Sequence, residues 1–427
     1  MLTVLTIVFT ILMLIGMPIS FALGIGTAAG MLYHGDFDLV LVVQRMFTAI
    51  DSFSLMAIPF FVLAGSLMEI SGISRRIVNF ANVFVGWMTG GLAMVSVLAS
   101  MIFATVCGSA VATTAAVGSV LIPPMEEKQY DRAYSAAVIA SAGVIGPIFP
   151  PSIPMVIYGS MTGCSIGALF VAGYIPGIIV GIGIMLVAYY VAKKRKYPKS
   201  PVASLKEAIR NTLDGTLALI MPFIIIGGIL LGIFTPTESG AVACVYSLVI
   251  GGVIYREITF KSLCGAVRES LSMTGMIMFL VAVASIFGWL ITAENMPQQM
   301  CATILEFTTT KWVILLILNV FLLLLGTFMD FIPAMVLVVP VLMPLLQESG
   351  IDLIHFGIIL IVNNGIGLLT PPVGTTLFVG MKLARVNMIE ICKEVWPHML
   401  VMTIALFILT YIPITVMWLP NLLYPAQ

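Results

Sequence analysis

The chain has 427 residues, 60% of them hydrophobic and 9% charged, with a mean hydropathy of +1.15. Soluble domains carry roughly 25% charged residues, so this composition excludes a soluble globular enzyme. Nineteen Lys and Arg balance nineteen Asp and Glu, and no basic stripe with interleaved aromatics occurs, which argues against a nucleic-acid partner. The six cysteines (Cys107, Cys164, Cys244, Cys264, Cys301, Cys392) are far apart and form no C-x-x-C, so they read as buried thiols, not as a zinc site or disulfide framework.

A bilayer core about 30 Å thick needs about 20 apolar residues in helix, and runs of that kind can be followed along the chain. The first 33 residues carry no charged side chain. Gly16-Met17-Pro18 interrupts them where a helix would break, so two short crossings are expected. A signal peptide is the competing reading, disfavoured by the missing basic n-region and cleavage site. Apolar runs follow at 52–72, 91–125, 133–160 and 166–192, after which Lys193-Lys194-Arg195-Lys196 and Lys199 mark a cytoplasmic loop. The second half repeats the plan at 215–235, 238–255, 272–292, 312–346, 355–381 and 398–422. Segments 73–87 and 297–311, in matching places before the two longest runs, read equally as arms along the membrane surface and as ordinary amphipathic connectors, and 201–214 as a surface linker helix.

The expected fold is therefore an all-α integral membrane protein of two inverted-topology repeats, 1–192 and 215–427, joined by a basic cytoplasmic linker at 193–214. Each repeat would hold about five transmembrane helices and one re-entrant helical hairpin, at 91–125 and at 312–346. Five crossings per half turn the second half upside down. Every Lys and Arg except Arg45 and Lys311 then falls on the cytoplasmic side, as the positive-inside bias requires, and both termini fall outside.

A shift of 221 positions pairs Val120-Leu121-Ile122-Pro123-Pro124-Met125-Glu126-Glu127 with Val341-Leu342-Met343-Pro344-Leu345-Leu346-Gln347-Glu348, four identities in eight. The same shift carries Gly146, Pro150, Pro151 and Gly159 onto Gly367, Pro371, Pro372 and Gly380. Paired Gly/Pro interruptions in inverted repeats point to a secondary-transporter site near the membrane midplane. The hairpin tips fall at 107–114, with Ser109, Ala110 and Thr113, and at 326–333, with Gly326, Met329 and Asp330. The broken helices carry Gly146, Pro150, Pro151 and Ser152 in the first half, and Asn363, Asn364, Gly365, Gly367, Thr370 and Pro371 in the second.

Backbone unwound at membrane depth survives only where protein or a water-filled cavity satisfies it. Its carbonyls, with Ser, Thr and Asn oxygens, suit sodium, while half-helix N-termini suit a carboxylate-bearing small molecule. Any one of these stretches alone reads as close helix packing, whereas four arranged as two equivalent pairs read as a site. Asp330 reads equally as an N-cap and as an ion ligand. Glu238, in Thr235-Pro236-Thr237-Glu238-Ser239, reads as a cap at the outer turn.

Five ordered motifs carry a family resemblance: Phe53-Ser54-Leu55-Met56-Ala57-Ile58-Pro59-Phe60-Phe61, Gly108-Ser109-Ala110, Pro150-Pro151-Ser152-Ile153, Phe234-Thr235-Pro236-Thr237-Glu238 and Leu369-Thr370-Pro371-Pro372. Together they resemble the large membrane (M) subunit of tripartite ATP-independent periplasmic (TRAP) transporters, the DctM-like family, over essentially the whole chain. The resemblance implies an elevator-type, sodium-driven carrier in the bacterial inner membrane. It also implies two partners, a small four-helix membrane subunit (Q) and a soluble periplasmic substrate-binding protein (P) that hands over an organic acid. Sugar acids, sialic acid and C4-dicarboxylates are the implied substrates.

Sodium is implied near Ser109 and Gly146, and a second sodium near Asp330 and Gly367; Thr113 departs from the family pattern, which has Asp there. A self-sufficient sodium/carboxylate symporter is the alternative. An intramembrane serine hydrolase using Ser109 is disfavoured because His34, His355 and His398 fall near predicted membrane ends. No G-x-x-x-x-G-K-[ST] loop for ATP occurs, so any pumping must use a gradient.

Overall fold

The computed structural model describes residues 2–35, 39–199, 201 and 204–424, and every regular element among them is helical. Helices α1 (Leu2–Leu14) and α2 (Ile19–His34) flank Gly16 and fold against each other, with Gly26 close to Leu5 and Phe9. Next come α3 (Leu39–Ile50) and α4 (Ala57–Ile70), two arms of a pair bent by 66°. A span beginning at 52 thus omits α3, whose apolar pattern is interrupted by Gln44, Arg45 and Asp51. The arm α5 (Ile73–Val85) leads into a hairpin of α6 (Gly91–Cys107) and α7 (Ala110–Glu127).

Helices α8 (Arg132–Gly143) and α9 (Ile153–Thr162) stand on either side of an irregular stretch. The 29 residues of α10 (Ile166–Lys194) extend about 43 Å and separate the end with the basic cluster from the end with Ser165.

The second half opens with α11 (Leu205–Leu230), started by a Ser204/Glu207 capping box. It runs unbroken through 214, so the expected separate linker helix is instead the first turns of a span. Then follows α12 (Pro236–Leu248), continued by a π-helical turn at Val249–Ile254; Thr235 and Glu238 close a capping box at its start, the role expected of Glu238. The long α13 (Phe260–Ala293) and the arm α14 (Met296–Phe307) precede a second hairpin, α15 (Lys311–Phe328) and α16 (Phe331–Glu348). Helices α17 (Leu353–Gly367) and α18 (Thr375–Ala384) flank the second break. The 398–422 run is not one span: Pro413 separates α19 (Met388–Tyr411) from α20 (Ile414–Leu423).

Among the described residues, seven helices are long and apolar enough to cross a membrane, or eight if the bent α3/α4 pair counts as one span. Helices α1–α4 and α11–α13 pack mainly on one another and form a frame. Helices α6–α10 and α15–α19 form a second, hairpin-bearing body, which meets the frame chiefly where α4 touches α6 and α13 touches α16. The thiols are mixed rather than uniformly buried: Cys107, Cys244 and Cys301 are buried and Cys264 is exposed on α13.

The arm α5 is held to the frame by a specific clamp. Arg76 Nη1 is 2.8 Å from Glu257 Oε1, and its guanidinium carbon lies 3.6 Å from the Tyr255 ring centroid. Tyr255 in turn donates its hydroxyl to the Asp214 carbonyl at 2.8 Å, tying the turn after α12 to the first half of α11. Both members of the ion pair are partly exposed, so the clamp contributes about 1–2 kcal/mol. Arg76→Ala should lower the melting temperature in detergent, and Arg76→Lys should restore only part of it because an ammonium stacks less well on tyrosine.

Candidate functional site

The first hairpin turns through Gly108 and Ser109. Gly108 has φ +61° and lies against the Pro151 carbonyl, so a Cβ would be disfavoured twice over. Ser109 caps α7, its hydroxyl accepting from Ala112 N–H at 3.5 Å. The second hairpin turns through Met329, in extended backbone, and Asp330, whose carboxylate accepts from Phe331 N–H at 2.9 Å and lies 3.5 Å from the Thr375 hydroxyl. Asp330 is thus an N-cap; no contact so far assigns it an ion.

The breaks are held by side chains reaching backbone carbonyls. Ser152 donates to the Pro147 carbonyl at 2.6 Å while capping α9. In the second break Thr370 donates to the Ile366 carbonyl at 2.9 Å and Thr376 to the Leu368 carbonyl at 2.8 Å. The Pro150-Pro151 and Pro371-Pro372 bonds are both cis.

Each break presses on its own tip through a glycine. A Cβ on Gly146 would stand 2.7 Å from the Ser109 carbonyl oxygen, and one on Gly367 would stand 2.8 Å from Gly326 Cα. The breaks also meet each other, since a Cβ on Gly365 would stand 2.8 Å from a methyl of Val144.

These contacts enclose a cleft of about 250 Å³. It is lined by Ser109, Ala110 and Val111 of the first tip, Asp330, Phe331 and Ile332 of the second, Pro147 and Leu368 of the breaks, and Ile153, Pro154 and Thr375 at the starts of α9 and α18. Met273 and Met276 of α13 close the side toward the frame. Four helices, α7, α9, α16 and α18, therefore begin at one cavity, and the positive ends of their dipoles face the Asp330 carboxylate there. Asp330 is the one ionisable side chain of the lining.

Of the sequence-predicted residues, Ser109, Ala110 and Asp330 line the cleft. Thr113, Gly146, Pro150, Pro151, Ser152, Gly326, Met329, Asn363, Asn364, Gly365, Gly367, Thr370 and Pro371 do not; most stand behind it in the tips and breaks, and Pro371 is exposed. Asn363 is committed elsewhere: its amide donates to the backbone and side-chain oxygens of Asn319 at 3.0 and 2.9 Å, and Asn319 donates to Thr410 at 3.1 Å. Asn364, 2% exposed beside Gly326, has neither side-chain atom paired, and neither has the Thr113 hydroxyl, which is fully buried.

Sequence reading missed Met273, Met276, Thr375 and Asn319. Thr375 was within reach as the repeat image of Pro154, and Asn319 as the lone amide in an apolar run; the methionines gave no signal. His355 lies 2.9 Å from the Leu409 carbonyl, and His398 is buried deep in α19 instead of near a membrane end, yet neither lines the cleft with Ser109.

The fold is similar to that of the crystal structure of the Alcanivorax borkumensis YdaH transporter, described as having an unusual topology, with a TM-score of 0.59, covering 89% of this chain and 88% of that one at 14% identity. Residues 6–415 match the tripartite ATP-independent periplasmic transporter, DctM component, and the chain belongs to that family.

It is 42% identical over 93% of its length to the 2,3-diketo-L-gulonate TRAP transporter large permease protein YiaN of Escherichia coli, spanning 94% of that protein. It is 37% identical over 96% of its length to the sialic acid TRAP transporter large permease protein SiaM of Vibrio cholerae, of which it spans 96%. To the isethionate TRAP transporter permease protein DctMQ of Oleidesulfovibrio alaskensis it is 41% identical over 95% of its length, spanning 64% of that longer chain. These relatives are transport proteins, and the chain is not an enzyme.

The two asparagines should separate in a stability measurement. Asn319→Leu strands the Asn363 amide in a buried site and should cost about 2–3 kcal/mol. Asn364→Leu removes groups that have no partner, so thermal unfolding in sodium-free choline buffer should leave its melting temperature at or above that of the wild type.

Proposed function

We propose that the chain is the large permease of a sodium-driven importer for an organic acid. In this reading a periplasmic binding protein delivers the acid, a small membrane subunit completes the carrier, and the assembly sits in the bacterial inner membrane with both termini of this chain periplasmic. The observation that carries the proposal is the convergence of four helix N-termini and both hairpin tips on one cleft. An anionic head group placed there meets unpaired N–H groups and positive dipole ends without needing a lysine or arginine in the cleft.

Sodium fits the opposite ends of the same elements. Helices α6, α8, α15 and α17 end at the tips and breaks, so their last carbonyls face the places where Ser109, Gly146, Gly326 and Gly367 approach one another. The unpaired Asn364 oxygen and Thr113 hydroxyl oxygen are of the donor type a hard monovalent cation takes. Cation and acid then neutralise each other, which lowers the cost of carrying either through hydrocarbon.

The elevator reading is supported by the apolar character of the frame where it meets the cleft. Met273 and Met276 offer no hydrogen bond that would have to break when the hairpin-bearing body slides. The named substrates of the relatives, a diketo sugar acid, sialic acid and isethionate, share one acid group on a small polar body, the class proposed for this chain.

Titrating sodium against choline at constant ionic strength should raise the melting temperature saturably, by about 1.4 kcal/mol of stabilisation at ten times the dissociation constant. In proteoliposomes, Ser109→Ala and Asp330→Ala should weaken sodium dependence of uptake more than they lower expression. Unchanged sodium coupling in both variants would sink the assignment, and uptake without any binding protein would favour a self-sufficient symporter.

A further inference from the structure

The proposed acid-binding cleft has no cationic side chain, yet an arginine stands beyond it on either side. On the inner side a depression of about 460 Å³ runs along one face of α13, lined by Arg268, Glu269 and Ser272, and reaches Met273 and Met276, which also line the cleft. On the outer side a pocket of about 390 Å³ opens between α3 and α13 of the frame and α9 and α16 of the hairpin-bearing body. Ser160, Ser285, Trp289 and Thr292 contribute to its wall, and Arg45 is its single charged group. The guanidinium carbon of Arg45 lies 5.2 Å from the Trp289 ring centroid, and no carboxylate pairs with it among the described residues. Through Ser160 this pocket continues into an outer-face depression with the hydroxyls of Ser52, Ser165 and Thr235.

The spacing of the two arginine sites fits a passage across the bilayer. Arg268 and Trp289 are separated along α13 by about 31 Å, close to the thickness of the hydrocarbon core. The arrangement also follows the repeat: the 221-position shift lays α3 on the first turns of α13, and Arg268 falls two positions beyond the image of Arg45. Arg45 is one of only two basic residues expected on the outer side, so its place in a pocket there is not explained by topology.

We infer that Arg45 and Arg268 are the outer and inner contacts for the acid group of the substrate, one on each side of the tip cleft. The inference rests on the organic-acid reading given above and names the residues that confer it. With the tips beside Met276 the cleft opens to Arg268; a slide of about 14 Å along α13 brings them level with Ser285 and Arg45. The two contacts differ in strength. Among the described residues no acid lines the Arg45 pocket, which captures the anion, whereas Glu269 beside Arg268 weakens the inner hold and favours release.

Iodide and acrylamide quenching of the purified chain tests the outer contact without knowledge of the substrate, with Trp289→Phe subtracting the other tryptophans. Iodide quenching of Trp289 should fall at least two-fold in Arg45→Ala and persist in Arg45→Lys, with acrylamide quenching unchanged. Equal iodide quenching in wild type and Arg45→Ala overturns the outer contact. In proteoliposomes with the small subunit, uptake of 2,3-diketo-L-gulonate, N-acetylneuraminate, succinate and isethionate from their binding proteins tests the pair. Arg45→Ala should raise the half-saturating concentration of loaded binding protein about ten-fold, and Arg268→Ala should lower the maximal rate while leaving half-saturation within two-fold. Both variants within two-fold of wild type in both quantities overturns the pair. A wild type that carries none of the four acids refutes the proposed function instead, and the iodide result still decides whether Arg45 receives an anion.

Discussion

The rest of the structure depends on one constraint: hydrocarbon supplies no hydrogen bonds, so backbone at membrane depth must be satisfied by protein or by a water-filled cavity. This chain breaks its helices four times in its interior, at two hairpin tips and two Gly/Pro stretches, and gathers all four around a single cleft. Part of the exposed backbone is satisfied locally. Ser109 and Asp330 cap the returning hairpin helices, Ser152 reaches the Pro147 carbonyl, and Thr370 and Thr376 reach carbonyls of the second break. The remaining N–H groups at four helix starts and carbonyls at four helix ends are the groups on which the proposed binding of acid and sodium rests.

Close approach makes the cleft small enough to use those groups. Gly146 on Ser109 and Gly367 on Gly326 let a broken helix lie directly on a hairpin turn, and any side chain at these glycines would push tip and break apart. The two halves solve the turn differently, with a left-handed glycine at Gly108 and extended backbone at Met329, although both place a capping side chain next in sequence. The second half adds the Asn319, Asn363 and Thr410 network, which fixes α15, α17 and α19 relative to one another. A rigid body of this kind can move as a unit against the frame, where α13 meets the cleft with Met273 and Met276.

The frame and its arms are fastened by a different kind of contact. Arg76, Glu257 and Tyr255 join α5 to the turn between α12 and α13 with charge and aromatic stacking, partly exposed so that water lowers the cost of the ion pair. Strong polar contacts thus fasten α5 to the frame, whereas apolar ones meet the cleft at α13, a division that suits the proposed sliding of the hairpin-bearing body.

Much of this was legible in the sequence. Apolar run length gave the membrane class, and Gly16, the 91–125 and 312–346 runs and the paired Gly/Pro stretches located the short helices, the hairpins and the breaks, because helix interruption is a local property of the backbone. Capping chemistry is equally local, which is why Glu238 was readable. Failures came where a local rule met a long-range context: charges hid α3, Pro413 split a run that looked continuous, and the 201–214 segment joined the span after it. Of the sixteen site candidates only Ser109, Ala110 and Asp330 line the cleft, since sequence marks where a helix breaks but not which side of the break faces the cavity. Met273 and Met276 belong to an unremarkable apolar helix, and Arg45 and Arg268 lie between the apolar runs, where charge bias assigns each only a side of the membrane. The sequence by itself determined the membrane class, the repeat and the positions of the interruptions; tertiary packing alone decided which residues share a cavity, because that depends on how two halves of the chain, 221 residues apart, come together.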